Sequence, residues 1–146
     1  MNIAILGAGA WGTALAIQAC RRHDTVLWAR DATQAQQMQQ TRRNARYLPD
    51  AHLPPELTIA QGPLKQVLGG AQLIVLAGPM ASLRPLLGQL TALNLGQAHV
   101  AWLCKGFESV VDASSAPGWM PHEVQAQVAP SLLCGALSGQ IGRAHV

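Results

Sequence analysis

Ile3-Ala4-Ile5-Leu6 is apolar at every position and ends at Gly7. Unbroken apolar character over so few residues predicts a strand covered on both faces, not the in-out alternation of a half-solvated one. Thr13-Ala14-Leu15-Ala16-Ile17 then reads as helix, and Thr25-Val26-Leu27-Trp28-Ala29 as a second strand, parallel to the first by the crossover rule. Residues 32–43 are rich in Gln and carry a thin apolar stripe of Ala35, Met38 and Thr41, which predicts a surface helix. Residues 44–49, with Pro54-Pro55 close behind, predict a loop. Leu57-Thr58-Ile59-Ala60 is a short strand. Pro63 opens a helix through Leu68, and Gly69-Gly70 stop it.

The alternation continues. Residues 72–77 are nearly all apolar and predict a buried strand, ended by Gly78-Pro79. A helix follows over 82–90, in which Pro85 fits only within the first turn. Residues 98–104 read as a fifth strand, 109–118 as loop, 119–128 as a helix with His122 and Glu123 exposed, and 131–137 as a sixth strand ending at Ser138-Gly139. Strands alternating with helices, without internal repeats, predict an α/β fold: a doubly wound, Rossmann-type parallel sheet with helices on both faces.

The junction between the first strand and first helix carries the chemistry. Gly7, Gly9 and Gly12 have the spacing of a dinucleotide-binding turn. Gly7 would let the chain leave the strand tightly, Gly9 would let the backbone approach a pyrophosphate, and Gly12 would let the helix lie close on the sheet. Free N–H groups at the helix start would face the phosphates, aided by the helix dipole. Glycine-rich turns are common and the motif alone is weak, but here it follows a strand and opens a helix, which is the context the chemistry requires.

The end of the second strand should face the adenosine ribose. An acidic residue there accepts from the ribose hydroxyl in NAD-preferring units, whereas an Arg nearby holds a 2′-phosphate. Arg30 tilts the cofactor toward NADP, with NAD kept open by Asp31. Asp31 also reads as the N-cap of the next helix, with Gln34 completing a capping box. Lys105-Gly106-Phe107-Glu108 leaves the fifth strand at its carboxyl end, where open parallel sheets place ligands. Lys105 is a candidate for holding a phosphate or polarising a substrate oxygen, beside the plain reading of a solvated loop lysine.

Composition narrows the classes. The 146 residues allow one domain with a sizeable core, and 49% apolar content is that of a globular chain. No run approaches the roughly 20 apolar residues of a membrane span, which predicts no membrane insertion and a cytoplasmic protein. Cys20, Cys104 and Cys134 show no metal-ligand spacing and read as small buried hydrophobes. The net charge of +3 and pI near 9.1 come from dispersed residues and the short pairs Arg21-Arg22 and Arg42-Arg43. That pattern argues against nucleic acid and suits anionic small molecules.

Several stretches together resemble the N-terminal domain of bacterial NAD(P)-dependent glycerol-3-phosphate dehydrogenase. They are the run from Gly7 to Ala16, Leu27-Trp28-Ala29-Arg30-Asp31, Asn44-Ala45-Arg46-Tyr47-Leu48-Pro49, Leu83-Arg84, Lys105-Gly106-Phe107-Glu108, His122-Glu123-Val124 and Leu137-Ser138-Gly139. The resemblance implies reversible hydride transfer between NADP or NAD and the phosphorylated pair dihydroxyacetone phosphate and sn-glycerol 3-phosphate, for phospholipid synthesis. It implies cofactor contacts by Ala10, Trp11, Arg30 and Tyr47 beside the glycines. Lys105 would touch cofactor and substrate, and Gly139 the substrate.

Gly78-Pro79-Met80 departs from the family's Val-Pro-Ser, which puts the contact of that serine in doubt. After Ser138-Gly139 the family continues into a helical domain that supplies a lysine general base, for which nothing here is a match. Residues 140–146 instead read Gln-Ile-Gly-Arg-Ala-His-Val, and the last six are also what a sequencing-library adapter encodes in one frame. The expectations are a dinucleotide-binding domain over 1–139, a non-family tail over 140–146, no catalytic residue in the fragment, and little turnover alone. A homodimer stays open for a full-length form. A non-catalytic dinucleotide sensor and another dehydrogenase of the same architecture are the alternatives.

Overall fold

A computed structural model describes residues 1–104, Glu108 and residues 119–137. Six strands form one parallel sheet: β1 (Asn2–Leu6), β2 (Asp24–Trp28), β5 (Thr58–Ala60), β6 (Leu73–Leu76), β7 (His99–Trp102) and β8 (Leu133–Ala136). The spatial order is β5-β2-β1-β6-β7-β8, so the chain winds outward from β1 in one direction and then, from β6, in the other. The crossovers are α1 (Ala10–Ala19), α2 (Ala32–Thr41), α3 (Leu64–Val67), α4 (Met80–Thr91) and α5 (Pro121–Val128).

Alternate side chains of one strand feed two cores, which is why β1 is apolar throughout. Ala4 and Leu6 join Ile74, Leu76, Leu83, Leu87, Leu90 and Val124 on the face covered by α4 and α5. Ile3 and Ile5 join Ala16, Leu27, Ala35, Met38 and Val75 on the face covered by α1 and α2. Each fully buried Leu or Ile contributes about 1.5–3 kcal/mol, so β1, feeding both cores, is the strand the sheet depends on most.

Two expectations need correction. The stretch expected to be loop holds a hairpin, β3 (Arg43–Asn44) with β4 (Leu48–His52), paired antiparallel through Arg43 with His52 and Asn44 with Leu48. It begins where Arg42 ends α2 in the left-handed region at φ 54°. The Arg42 guanidinium donates to the carbonyls of Leu57, at 2.8 Å, and of Pro54, tying the turn to the chain entering β5. Helix α4 also starts earlier than expected, at Met80 behind the N-cap Pro79, which puts Pro85 in its second turn. That removes the donor for the Ala81 carbonyl, tolerable because Ala81 is exposed and water can take its place.

Candidate functional site

The sheet ladders run one residue past the strands along the carboxyl edge. Gly7 N–H donates to the Trp28 carbonyl, Ala77 N–H to Leu6, Leu103 N–H to Leu76 and Leu137 N–H to Trp102, all at 2.9 Å. At this edge Gly7 takes φ +126°, a conformation side chains oppose, and the chain turns into α1. Gly12 lies against that turn: a Cβ on it would stand 2.0 Å from the Gly7 oxygen. Gly9 differs from both, because a Cβ there would meet no atom of the described residues within 4 Å and its backbone is ordinary, φ −78° and ψ −173°.

Helix α1 starts behind Gly9 with no side-chain cap and no acidic residue in its first turn. Its leading amide donors and the positive end of its dipole are left to something outside the helix.

Two cavities open here, and Gly78-Pro79 lines both. One, of about 440 Å³, is lined by Gly9, Ala10, Trp11 and Tyr47 together with Leu103 and Leu137. Trp11 is 70% exposed and Tyr47 42%, and the Arg46 guanidinium stands 5.1 Å from the Tyr47 ring centroid. The other, of about 320 Å³, is lined by Gly7, Trp28, Arg30, Ser82 and Pro85. The structure thus groups Ala10, Trp11 and Tyr47 in one cavity and sets Arg30 in the next, with the glycine turn between them. A larger cavity of about 750 Å³ lies at the opposite, amino-terminal edge beside Met1, the Gly69-Gly70 turn that follows α3, and His99, away from the carboxyl edge where open parallel sheets place ligands.

The Gly78 departure has a local reason. A Cβ on Gly78 would stand 2.4 Å from the Ser82 hydroxyl, which donates to the Pro79 carbonyl at 2.7 Å. Ser82 occupies the room a side chain at 78 would need.

Asp31 caps α2 as expected, its carboxylate accepting from Thr33 N–H at 2.8 Å. The capping box does not form, because Gln34 reaches elsewhere: its Nε2 donates to the Ala8 carbonyl at 3.0 Å and to Asn44 Oδ1 at 3.3 Å. Asn44 was not singled out by the sequence. It is 1% exposed, and its Nδ2 donates to the same Ala8 carbonyl at 2.8 Å and to the buried Thr13 hydroxyl at 2.9 Å. Its one trace is the stretch Asn44-Ala45-Arg46-Tyr47-Leu48-Pro49, which does not say which backbone group the amide seeks.

Lys105 and Gly139 lie outside the described residues, so their candidate roles rest on sequence alone. Glu108, of the same Lys-Gly-Phe-Glu stretch, takes both oxygens to Arg84 on α4, at 2.7 and 3.0 Å, and its N–H donates to the Trp119 carbonyl at 2.8 Å. That hydrogen bond to Glu108 raises the Arg84 pKa. The three cysteines are free thiols, and only Cys20 is fully buried. Burial pushes Cys134 up to about 11 and raises Cys20 and Cys104 as well, so all are protonated at neutral pH. Among the described residues no group of His, Cys, Asp and Glu is placed to hold a metal, and no helix is long and apolar enough to cross a membrane.

Strand order, glycine turn and paired cavities at the carboxyl edge define a Rossmann-type, doubly wound α/β domain. The chain belongs to the glycerol-3-phosphate dehydrogenase family: the profile described as NAD-dependent glycerol-3-phosphate dehydrogenase N-terminus matches residues 2–140. It is 54% identical over 141 residues to a glycerol-3-phosphate dehydrogenase [NAD(P)+] of Variovorax paradoxus, covering 95% of this chain and 41% of that protein. A Delftia acidovorans protein of the same name is 53% identical over 151 residues, covering 100% and 44%. The solved glycerol-3-phosphate dehydrogenase of Coxiella burnetii superimposes with a TM-score of 0.81 at 31% identity, covering 94% of this chain and 40% of that one. The chain therefore spans less than half the length of these relatives.

Proposed function

We propose that residues 1–139 are the coenzyme-binding domain of an NAD(P)-dependent glycerol-3-phosphate dehydrogenase that interconverts dihydroxyacetone phosphate and sn-glycerol 3-phosphate in the cytoplasm. The observation that carries the binding half is Gly9. Neither backbone conformation nor packing among the described residues calls for glycine there, so we take the missing side chain to leave room for a ligand lying against the turn. The uncapped start of α1 fits a diphosphate, whose charge the first-turn amides of Ala10 and Trp11 would neutralise.

Either side of that turn, the cavities suit the two ends of a dinucleotide. The one beside Trp28 and Arg30 would take the adenosine end, with the Arg30 guanidinium on a 2′-phosphate. The one beside Trp11, Tyr47 and Leu103 would take the nicotinamide end, its apolar lining limiting access of water to the transferred hydride. When bound, the reduced coenzyme supplies the hydride for a substrate carbonyl. Lys105 is proposed to touch cofactor and substrate phosphate, and Gly139 the substrate. The proton donor and acceptor is proposed to come from the part of the relatives' length beyond this domain, and a homodimer is proposed for that longer form. Proton transfer needs a group at hydrogen-bond distance from the hydroxyl.

Fusing residues 1–139 to the remaining segment of the Variovorax paradoxus relative tests this reading. Oxidation of NADPH or NADH that depends on dihydroxyacetone phosphate, and that is lost in Lys105→Ala, is expected. A folded fusion that binds coenzyme but ignores this substrate would overturn the assignment.

A further inference from the structure

We infer that Asn44 and Gln34 are positioning residues for the diphosphate cradle: by holding the Ala8 carbonyl inward they fix the peptide that presents the Gly9 N–H outward. The inference rests on the coenzyme-binding reading of the turn. Ala8 and Gly9 share one planar peptide, in which C=O and N–H point opposite ways. Both acceptor positions of the Ala8 oxygen are filled, by Asn44 Nδ2 at 2.8 Å and Gln34 Nε2 at 3.0 Å.

Asn44 is itself locked. It is 1% exposed, bonded to the fully buried Thr13 hydroxyl of α1 at 2.9 Å, and receives Gln34 on its own oxygen. Without these donors, no other hydrogen bond among the described residues opposes rotation of the 8–9 peptide, and glycine at 9 tolerates either orientation. The rotated peptide would turn a carbonyl dipole toward the phosphates in place of an amide, exchanging attraction for repulsion. Gln34 stands in the first turn of α2, three residues after the Asp31 cap and four after Arg30, so the clamp also ties the strand end expected to read the ribose to the turn expected to hold the diphosphate.

Equilibrium dialysis of the whole chain with ADP-ribose, which carries the diphosphate of either coenzyme, and with adenosine, which lacks it, provides the test. Gln34→Met, at a half-exposed site, should weaken ADP-ribose about threefold, and Asn44→Leu about tenfold, with adenosine unchanged. A purely structural role would lower the melting temperature and weaken both ligands alike. If Asn44→Leu fails to fold, Gln34→Met decides alone. Wild-type protein that binds ADP-ribose, with variants that lose nothing or lose both ligands equally, overturns this inference and spares the coenzyme reading. Wild-type protein that binds neither ligand overturns both.

Discussion

Gly12 packs so closely on Gly7 that a Cβ at Gly12 would lie 2.0 Å from the Gly7 carbonyl oxygen and 2.9 Å from the Ala77 Cβ. Helix α1 therefore sits on the sheet at a separation only hydrogen permits. Gly12→Ala should cost about 3 kcal/mol or more through overpacking against backbone, seen as a large drop in the urea midpoint. Gly9→Ala should cost at most about 1 kcal/mol, the small loss of an N-cap glycine, because its Cβ meets no atom of the described residues, while coenzyme affinity falls. Equal destabilisation by the two would remove the distinction drawn between a packing glycine and a ligand glycine.

Arg30 lines the cavity proposed for the adenosine end and is exposed. Arg30→Ala should weaken NADPH binding about tenfold or more and NADH binding little, since a charge-assisted bond to the 2′-phosphate is lost only for NADPH. Fluorescence titration of both reduced coenzymes gives the ratio. An unchanged ratio would show that the cation is not aimed at that phosphate.

The parallel sheet was legible because β1 and β6 feed cores on both faces, and a strand with two buried faces announces itself in four consecutive apolar residues. The glycine turn was legible for a related reason: its spacing encodes close approaches that other residues forbid. What escaped notice is held by contacts distant in sequence. Asn44 meets Ala8 across 36 positions, and no local pattern marks an amide that seeks one particular carbonyl. The β3–β4 hairpin escaped because its first strand has two residues and its second contains Pro49 and two exposed polar groups, Asp50 and His52, so no period-two signal survives. Gln34 had the right spacing for a capping box and a better-satisfied use elsewhere.

Arg84 and Glu108 join α4 to the Lys-Gly-Phe-Glu stretch through two hydrogen bonds, with side chains 35% and 21% exposed. Solvent screening limits such a pair, so a double-mutant cycle with Arg84→Met and Glu108→Gln should return a coupling of about 0.2–1 kcal/mol, reduced at high salt. A coupling of zero at low salt would show that the pair does not hold Glu108 against α4.

Cys134 titrates at about 11 in the folded chain because burial disfavours its thiolate. The folded pKa is raised above that of the unfolded thiol, so the folded state holds more protons between the two values. Its contribution is fully present below the unfolded pKa and is lost as pH rises toward 11. Cys134→Ser should flatten the fall in melting temperature between pH 9 and pH 11. Wild-type Cys134 should also alkylate far more slowly at pH 8 than a free thiol, followed by mass spectrometry. Rapid labelling of the folded chain would contradict the burial assigned to it.

The most direct test of the coenzyme cradle is an amide NMR spectrum of the isotope-labelled chain, recorded with and without NADPH. The largest shifts are expected at the N–H groups of Gly9, Ala10 and Trp11, with smaller ones at Arg30 and Tyr47. Shifts confined to the amino-terminal cavity around Gly70 and His99, or none at saturating coenzyme, would contradict it.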